Sequence, residues 1–322
     1  MKHMFHSIVL TMLFLFLLPV SSRAEQLLIP AGTIVGLQLQ DDSVTVAAFD
    51  ELLGGNARDA GLQIGDEILE IDGSVIDSAE DVRSALKTGC EEIILTVSRE
   101  GKTRTVHMQP RETDRGRKLG VYLRQGITGI GTVTWYDPDT GRFGTLGHGV
   151  SSRRGELLPM SSGNLYNAEI FSVVRGKSGT PGQLKGQALS ETPCGRLLQN
   201  TPRGVFGETR QGWLGEPVPV ACFEQVRPGP AMIRSTVTGR VPEEYSVEIL
   251  KIYPKDRHDS RNFLLKVTDS RLLEQTGGIV QGMSGSPIIQ DGRLVGAITH
   301  VMVSDPTTGY GIFIGNMLDA AA

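Results

Sequence analysis

The sequence holds only three cysteines, Cys90, Cys194 and Cys222. An odd number excludes a complete intramolecular disulfide framework. None stands in a Cys-x-x-Cys pair and no histidine has finger-like spacing, so neither zinc nor another metal is expected. A Cys194–Cys222 bridge stays open beside the alternative of buried apolar thiols. An excess of positive charge is missing too. Lys and Arg number 32 against 36 Asp and Glu, for a net charge of -4, so no basic field exists to attract nucleic acid,. Long hydrophobic runs are absent except at residues 8–18, which fall short of the roughly 20 residues of a membrane span,. That run follows Lys2 and His3, breaks at Pro19 and leads to Ser22-Arg23-Ala24. It has the form of a secretory leader over 1–24, or of an uncleaved anchor. Either way the bulk of the chain is expected outside the cytoplasm, with membrane contact only through this segment. Cofactor loops are lacking as well. Gly176-Lys177-Ser178 has Phe171 where a phosphate loop needs its first glycine, and 126–131 has the wrong glycine spacing for a dinucleotide,. No cofactor is expected.

Glycine, by contrast, is abundant at 40 residues, and with 16 prolines it favours turns and short strands,. Residues 29–112 read as one α/β unit. Gly61-Leu62-Gln63-Ile64-Gly65-Asp66 delivers the chain into a strand that Asp72-Gly73 ends,. A helix follows, with Asp77 and Glu80 as a capping box and Val82, Ala85 and Leu86 on one face,. Two more strands flank Glu100-Gly101. Ala60-Gly61-Leu62, Gly65-Asp66, Ile68, Ile71 and Asp72-Gly73 resemble the PDZ domain of bacterial proteases. Val35, Gly36 and Leu37 stand where the resemblance would put the carboxylate-binding loop, which holds a peptide added to a sheet edge. Polar residues 110–117 read as a linker.

From 119 to 322 strands are short and helical periodicity is nearly absent. Candidate strands cover 130–136, 168–174, 247–252, 262–267, 286–290, 294–300 and 309–314, with a helical turn after Asn316. So many short strands argue for a barrel or a pair of barrels. In Gly282-Met283-Ser284-Gly285-Ser286-Pro287 a serine on a glycine-bounded turn projects its hydroxyl, while the N–H groups of Gly282 and Ser284 aim at one point,. This is close to the nucleophile loop of chymotrypsin-like serine proteases. Such a serine needs a base. His148, in Gly144-Thr145-Leu146-Gly147-His148-Gly149, lies at the required place well before it. His300 follows Ser284 by one hairpin and suits substrate binding or packing. Asp256, Asp259 and Asp269 are candidates for the acid.

The leader, the PDZ unit, the segment ending at His148, and 277–287 together resemble the stage IV sporulation protein B peptidases; 296–301 and 305–311 extend the likeness. The resemblance implies a mainly β fold, with a PDZ domain followed by a chymotrypsin-like double β-barrel. It places the acid at Asp269. It implies an enzyme of endospore formation, acting between forespore and mother cell membranes. That enzyme cleaves itself and a membrane-bound regulator of an intramembrane protease, which releases a late sigma factor. Self-cleavage is expected between the leader and the PDZ unit, or within it. The alternative is an inactive barrel that, with its PDZ unit, only binds peptides.

Overall fold

Two β-barrels and a PDZ unit make up the computed structural model, which describes residues 25–322 except 89–90, 153–154 and 258. The expected leader and Cys90 lie outside the described residues. The chain begins with β1 (Leu27–Pro30) and β2 (Ile34–Phe49). β2 serves two cores. Val35, Leu37 and Leu39, at the strand period of two, are buried in one, and Val44 and Val46 in the other,.

The second of these cores is the PDZ unit. It contains α1 (Gly55–Asp59), β3 (Glu67–Ile71), β4 (Ser74–Val75), α2 (Ala79–Thr88), β5 (Ile93–Arg99) and β6 (Lys102–Met108). α2 buries Val82 and Leu86, as its periodicity requires. Its capping box sits one residue later than expected. Ser78 Oγ accepts from the Asp81 N–H at 3.2 Å and donates to the Asp81 carboxylate at 2.7 Å,. Glu80 instead pairs with Arg83. The Asp66 side chain is fully buried and holds Arg99 through two bonds of 2.7 Å, pinning the turn before β3 to β5.

The chain returns along β7 (Val121–Tyr136), antiparallel to β2 through both units, from Phe49↔Val121 to Ile34↔Thr132. At Gly126 (φ 73°) the register slips, and a Cβ there would lie 1.9 Å from the Leu39 carbonyl oxygen, so only glycine fits,. Then come β8 (Arg142–Thr145), β9 (Ser162–Val174), β10 (Gln183–Ala188), β11 (Gly195–Thr201) and β12 (Gly204–Thr209). β2 pairs with β7 and β9, β9 with β11, β11 with β12, β12 with β8, and β8 with β7. This ring of strands is the first barrel, and β10 hangs from β9.

β13 (Val218–Pro219) pairs with β1. The second barrel follows: β14 (Gly229–Ser235), β15 (Glu243–Ile252), β16 (Phe263–Val267), α3 (Ser270–Thr276), β17 (Pro287–Gln290), β18 (Arg293–Met302) and β19 (Asp305–Phe313). It closes in the order β14-β15-β16-β19-β18-β17. Ile233, Tyr245, Val247, Phe263, Leu265 and Ile288 fill it, and each such aliphatic side chain contributes about 1.5–3 kcal/mol. α4 (Ile314–Ala321) ends the chain with Ile314 and Met317 in the same core.

The double barrel agrees with expectation, but the division of the chain does not. The expected boundaries put the PDZ unit over 29–112 and the peptidase over 119–322. In the structure the stretch 34–39 is a wall of the first barrel. The PDZ unit is an insertion between the two halves of β2 and of β7. Nor is 110–117 an interdomain linker: Arg111 exchanges two 2.8 Å backbone hydrogen bonds with Lys118, and Leu119 lies in the PDZ core. The change of core within β2 falls where the buried apolar positions pass from odd (Val35, Leu37, Leu39) to even (Val44, Val46) across Gln40-Asp41-Asp42-Ser43, a change of phase that reads from sequence as a break between two segments,.

Candidate active site

After β8 the chain passes through two successive left-handed residues, Leu146 (φ 69°) and Gly147 (φ 70°). The first is an unfavourable conformation for leucine. It is held by the Thr132 carbonyl, which accepts from the Leu146 N–H at 3.3 Å and from Thr145 Oγ1 at 2.6 Å. At Gly147 a Cβ would stand 2.9 Å from Thr299 Cγ2, so glycine lets the two barrels close on each other here. This turn sets His148 at the barrel interface. Its Nδ1 is 3.0 Å from the Gly149 carbonyl oxygen. A carbonyl only accepts, so Nδ1 carries the proton and Nε2 remains as the basic nitrogen. Burial lowers the His148 pKa below its ordinary value, opposed by the Gly149 carbonyl, so the ring is neutral near pH 7,.

Ser284 comes from the second barrel, on the turn before β17. Gly282 (φ 101°) and Gly285 (φ 96°) take backbone angles that side chains disfavour, and a Cβ on Gly285 would lie 2.1 Å from the Thr132 carbonyl oxygen,. The N–H groups of Gln281, Met283, Gly285 and Ser286 bond to Gly182, Val280, Ile298 and Met283. Those of Gly282 and Ser284 make no hydrogen bond among the described residues. Their directions are fixed. Leu184 N–H holds the Gln281 carbonyl at 2.8 Å and Ser286 N–H holds the Met283 carbonyl at 3.0 Å. In a trans peptide the following N–H points the opposite way. Thr132 ties the turn to the first barrel, with Oγ1 donating to the Gly282 carbonyl at 2.8 Å and N–H to the Ser284 carbonyl at 3.1 Å. The Ser284 hydroxyl itself donates to the Thr299 carbonyl at 2.9 Å.

His148, Gly282 and Ser284 line one cavity of about 340 Å³ between the barrels, with Leu37 and Ile130 on its apolar wall. A larger groove of about 760 Å³ shares Leu37, Gly129 and Ile130 and extends past Phe171 and Leu184. The structure thus brings together His148, Ser284 and both expected oxyanion donors.

It does not bring in Asp269. That side chain caps α3, accepting from the N–H groups of Arg271 at 2.9 Å and Leu272 at 3.3 Å,. It also accepts from Ser246 N–H at 3.3 Å and from the Arg271 guanidinium at 3.1 Å. Burial pulls its pKa up, but Arg271 and these N–H groups outweigh it and keep the carboxyl below the ordinary range. The ring that meets His148 is that of His300, with centroids 5.4 Å apart.

The expected PDZ loop is also corrected. Val35, Gly36 and Leu37 lie within β2 with both edges paired, Gly36 to Ile130 on one side and to Tyr166 on the other. No peptide can add there, and Leu37 lines the cavity of His148 and Ser284 instead. The loop suited to that task is Leu119-Gly120-Val121. Gly120 has φ 73°, and a Cβ on it would lie 2.2 Å from the Leu53 carbonyl oxygen. Over 121–125 β7 pairs only with β2 among the described residues. A cavity of about 600 Å³ there is lined by Leu119, Val121 and Leu123 with Val82 and Leu86 of α2. The signal was in the sequence, as Lys118-Leu119-Gly120-Val121 has the same apolar-glycine-apolar form as 34–37. Cys194 and Cys222 are unbridged, and Cys222 is exposed rather than buried.

The sequence profile of the SpoIVB peptidase S55 family matches residues 115–318, and that of a PDZ domain matches 52–99. The chain belongs to the SpoIVB peptidase S55 family. The first-barrel strand at 34–39, which this S55 peptidase needs to close its fold, lies before the matched range. A putative zinc metalloprotease of Bartonella henselae is 31% identical over 98 residues, 29% of this chain and 27% of that protein. The chain therefore spans about a quarter of that relative. Among solved structures, the active form of the Rv3671c protease from M. tuberculosis has TM-score 0.35 and 14% identity, covering 62% of this chain and 73% of that one. Its inactive form has TM-score 0.35 and 14% identity, covering 61% and 85%.

Proposed function

We propose that this S55 peptidase is an exported serine endopeptidase with Ser284 as nucleophile and His148 as base. The observation that carries this reading is the pair of free, oppositely braced N–H groups on Gly282 and Ser284, in the cavity that His148 shares. The Ser284 hydroxyl turns from the Thr299 carbonyl to His148 Nε2, which takes its proton as Oγ attacks the peptide carbonyl carbon. The carbonyl π electrons move to oxygen, where the two N–H groups hold the oxyanion. The tetrahedral species expels the amine as His148 returns the proton to it. Water, activated by the same ring, then releases the acyl group. The Gly149 carbonyl fixes the tautomer, the task expected of Asp269.

Family membership supports the finer reading. The substrates are the chain itself and a membrane-bound regulator of an intramembrane protease in a sporulation signalling pathway. The site of action is the space between forespore and mother cell membranes. Self-cleavage that leaves the barrel whole falls before Leu28, which is fully buried. The β7 edge at Val121–Leu123 is the place for a peptide to add to the PDZ sheet. The test compares wild type with Ser284→Ala, each lacking 1–24, by intact mass over time. Discrete self-cleavage in wild type alone supports the reading. Failure of a fluorophosphonate to label folded wild type at Ser284 would leave the peptide-binding scaffold in its place.

A further inference from the structure

Among the described residues His148 has no carboxylate partner; its hydrogen-bonded neighbour there is the Gly149 carbonyl, and its ring neighbour is His300. His300 stands on β18 opposite Tyr310 of β19. The residue before it, Thr299, holds the Ser284 hydroxyl through its carbonyl. Two successive residues of one strand therefore touch both members of the reacting pair. The Nδ1 of His300 is buried and has no hydrogen-bond partner among the described residues. A buried ring nitrogen without a partner costs about 1–3 kcal/mol, and such groups persist where function uses them.

We propose that His300 is the positioning residue of the catalytic group, the third member beside Ser284 and His148, in the place that the sequence assigned to Asp269. The inference rests on the serine peptidase reading of the site. A neutral His300 ring offers an unpartnered nitrogen beside the positive charge that forms on His148 when Ser284 loses its proton. Three charged or titratable groups act on it: His148, Arg261 and Asp259. Burial, then His148 and Arg261, lower its pKa to about 4, against a smaller opposing effect of Asp259. It is therefore uncharged where His148 works, and it supports the imidazolium without competing for the proton. Arg261 lies over the ring of Tyr310, the cross-strand partner of His300, at 4.9 Å.

The test is the rate at which a fluorophosphonate labels the chain across pH 5–9, in wild type, Ser284→Ala, His300→Ala, His300→Gln and Asp269→Asn. Circular dichroism melts are recorded for each. His300→Ala is expected to label roughly 10–100-fold more slowly on the plateau. Its acid limb should move to lower pH, because the imidazolium loses a partner. His300→Gln, whose amide oxygen can accept, should recover part of the rate. Asp269→Asn should label as wild type does while melting earlier, since it weakens only a helix cap. The inference is overturned if both His300 variants label at the wild-type rate with an unmoved acid limb. It is equally overturned if folded Asp269→Asn is as inert as Ser284→Ala. Wild type that takes no label at Ser284 refutes the peptidase reading itself, and this inference with it.

Discussion

Thr132 is the hinge-pin of the interface, and its removal has a calculable effect. In Thr132→Val the backbone contacts to Leu146 and Ser284 persist, because they use only the N–H and carbonyl. The lost group is the hydroxyl that donates to the Gly282 carbonyl at 2.8 Å from a residue with 0% exposure. Valine has the same branched shape and suits a strand equally well. The carbonyl of half-buried Gly282 loses this partner, which costs about 0.5–1.5 kcal/mol,. For a chain of this size that lowers the melting temperature by roughly 2–4 °C per kcal/mol. The same tether holds the Cα of Gly282, which carries the N–H that the Leu184–Gln281 bond aims. Complete loss of one oxyanion donor costs about 100–1000-fold in rate, and a loosened one should cost about 10-fold. Single-turnover cleavage of a peptide ester, measured beside a thermal melt, reads both effects. Thr132→Ser keeps the hydroxyl and should restore most of the rate. Wild-type turnover in a destabilised Thr132→Val would refute the claim that this bond places the oxyanion donor.

Three further expectations can be checked directly. Gly285→Ala drives a methyl group to 2.1 Å from the Thr132 carbonyl oxygen and 2.6 Å from the Leu146 nitrogen, both backbone. It should abolish labelling by the fluorophosphonate while leaving hydrogen-exchange protection in the PDZ core intact. Asp66→Ala removes both carboxylate bonds to the partly exposed Arg99 guanidinium, which keeps only the Gly61 carbonyl at 2.7 Å, a loss of about 1–3 kcal/mol,. A melt should then show the PDZ unit unfolding first, and a single unshifted transition would contradict this. Both interface histidines titrate below their ordinary value of 6.5 in the folded chain, His300 at about 4, with burial as the first cause. The unfolded chain therefore binds protons that the native chain refuses as pH falls from 6.5 towards 4. Stability should be full above that window and decline within it, by up to about 1.4 kcal/mol per pH unit per histidine. Urea midpoints should show that decline, and the slope should flatten in His300→Gln.

The turns that carry Ser284 and His148 were legible because they are built from unusual local sequence. Glycines on both sides of Ser284, and a glycine before His148, mark backbone angles few residues adopt. Five of the six strands of the second barrel were legible as short apolar runs between bounded turns, while β14 was not among the expected strands. The strand at 34–39 was not legible, because the polar run 40–43 and the change of phase after Leu39 separate it in the sequence from Val44 and Val46, although β2 runs through both. Asp269 read as a triad acid from a resemblance in spacing, yet its oxygens are engaged by Arg271, Leu272 and Ser246. An aspartate just ahead of Ser270-Arg271-Leu272-Leu273 has the form of a helix cap, and that local signal was the sounder guide. His300 was assigned to the substrate groove or to packing. Its contact with His148 is a tertiary pairing of two strands from different barrels, which no local pattern records.

The paired strands β2 and β7 also decide how this protein can be taken apart. Leu39 faces Ile127 across the ribbon, and Asp41 accepts from the Gly126 N–H at 3.1 Å, so the chain leaves the barrel and comes back at adjacent points. The PDZ unit is therefore a guest in a host gene rather than a front half. A cut after the PDZ unit, at residue 119, would strip the barrel of its own stave in β2 and of β1, which pairs with the end of β7. Excising only 41–125 and closing the gap with a tight turn would leave every stave in place.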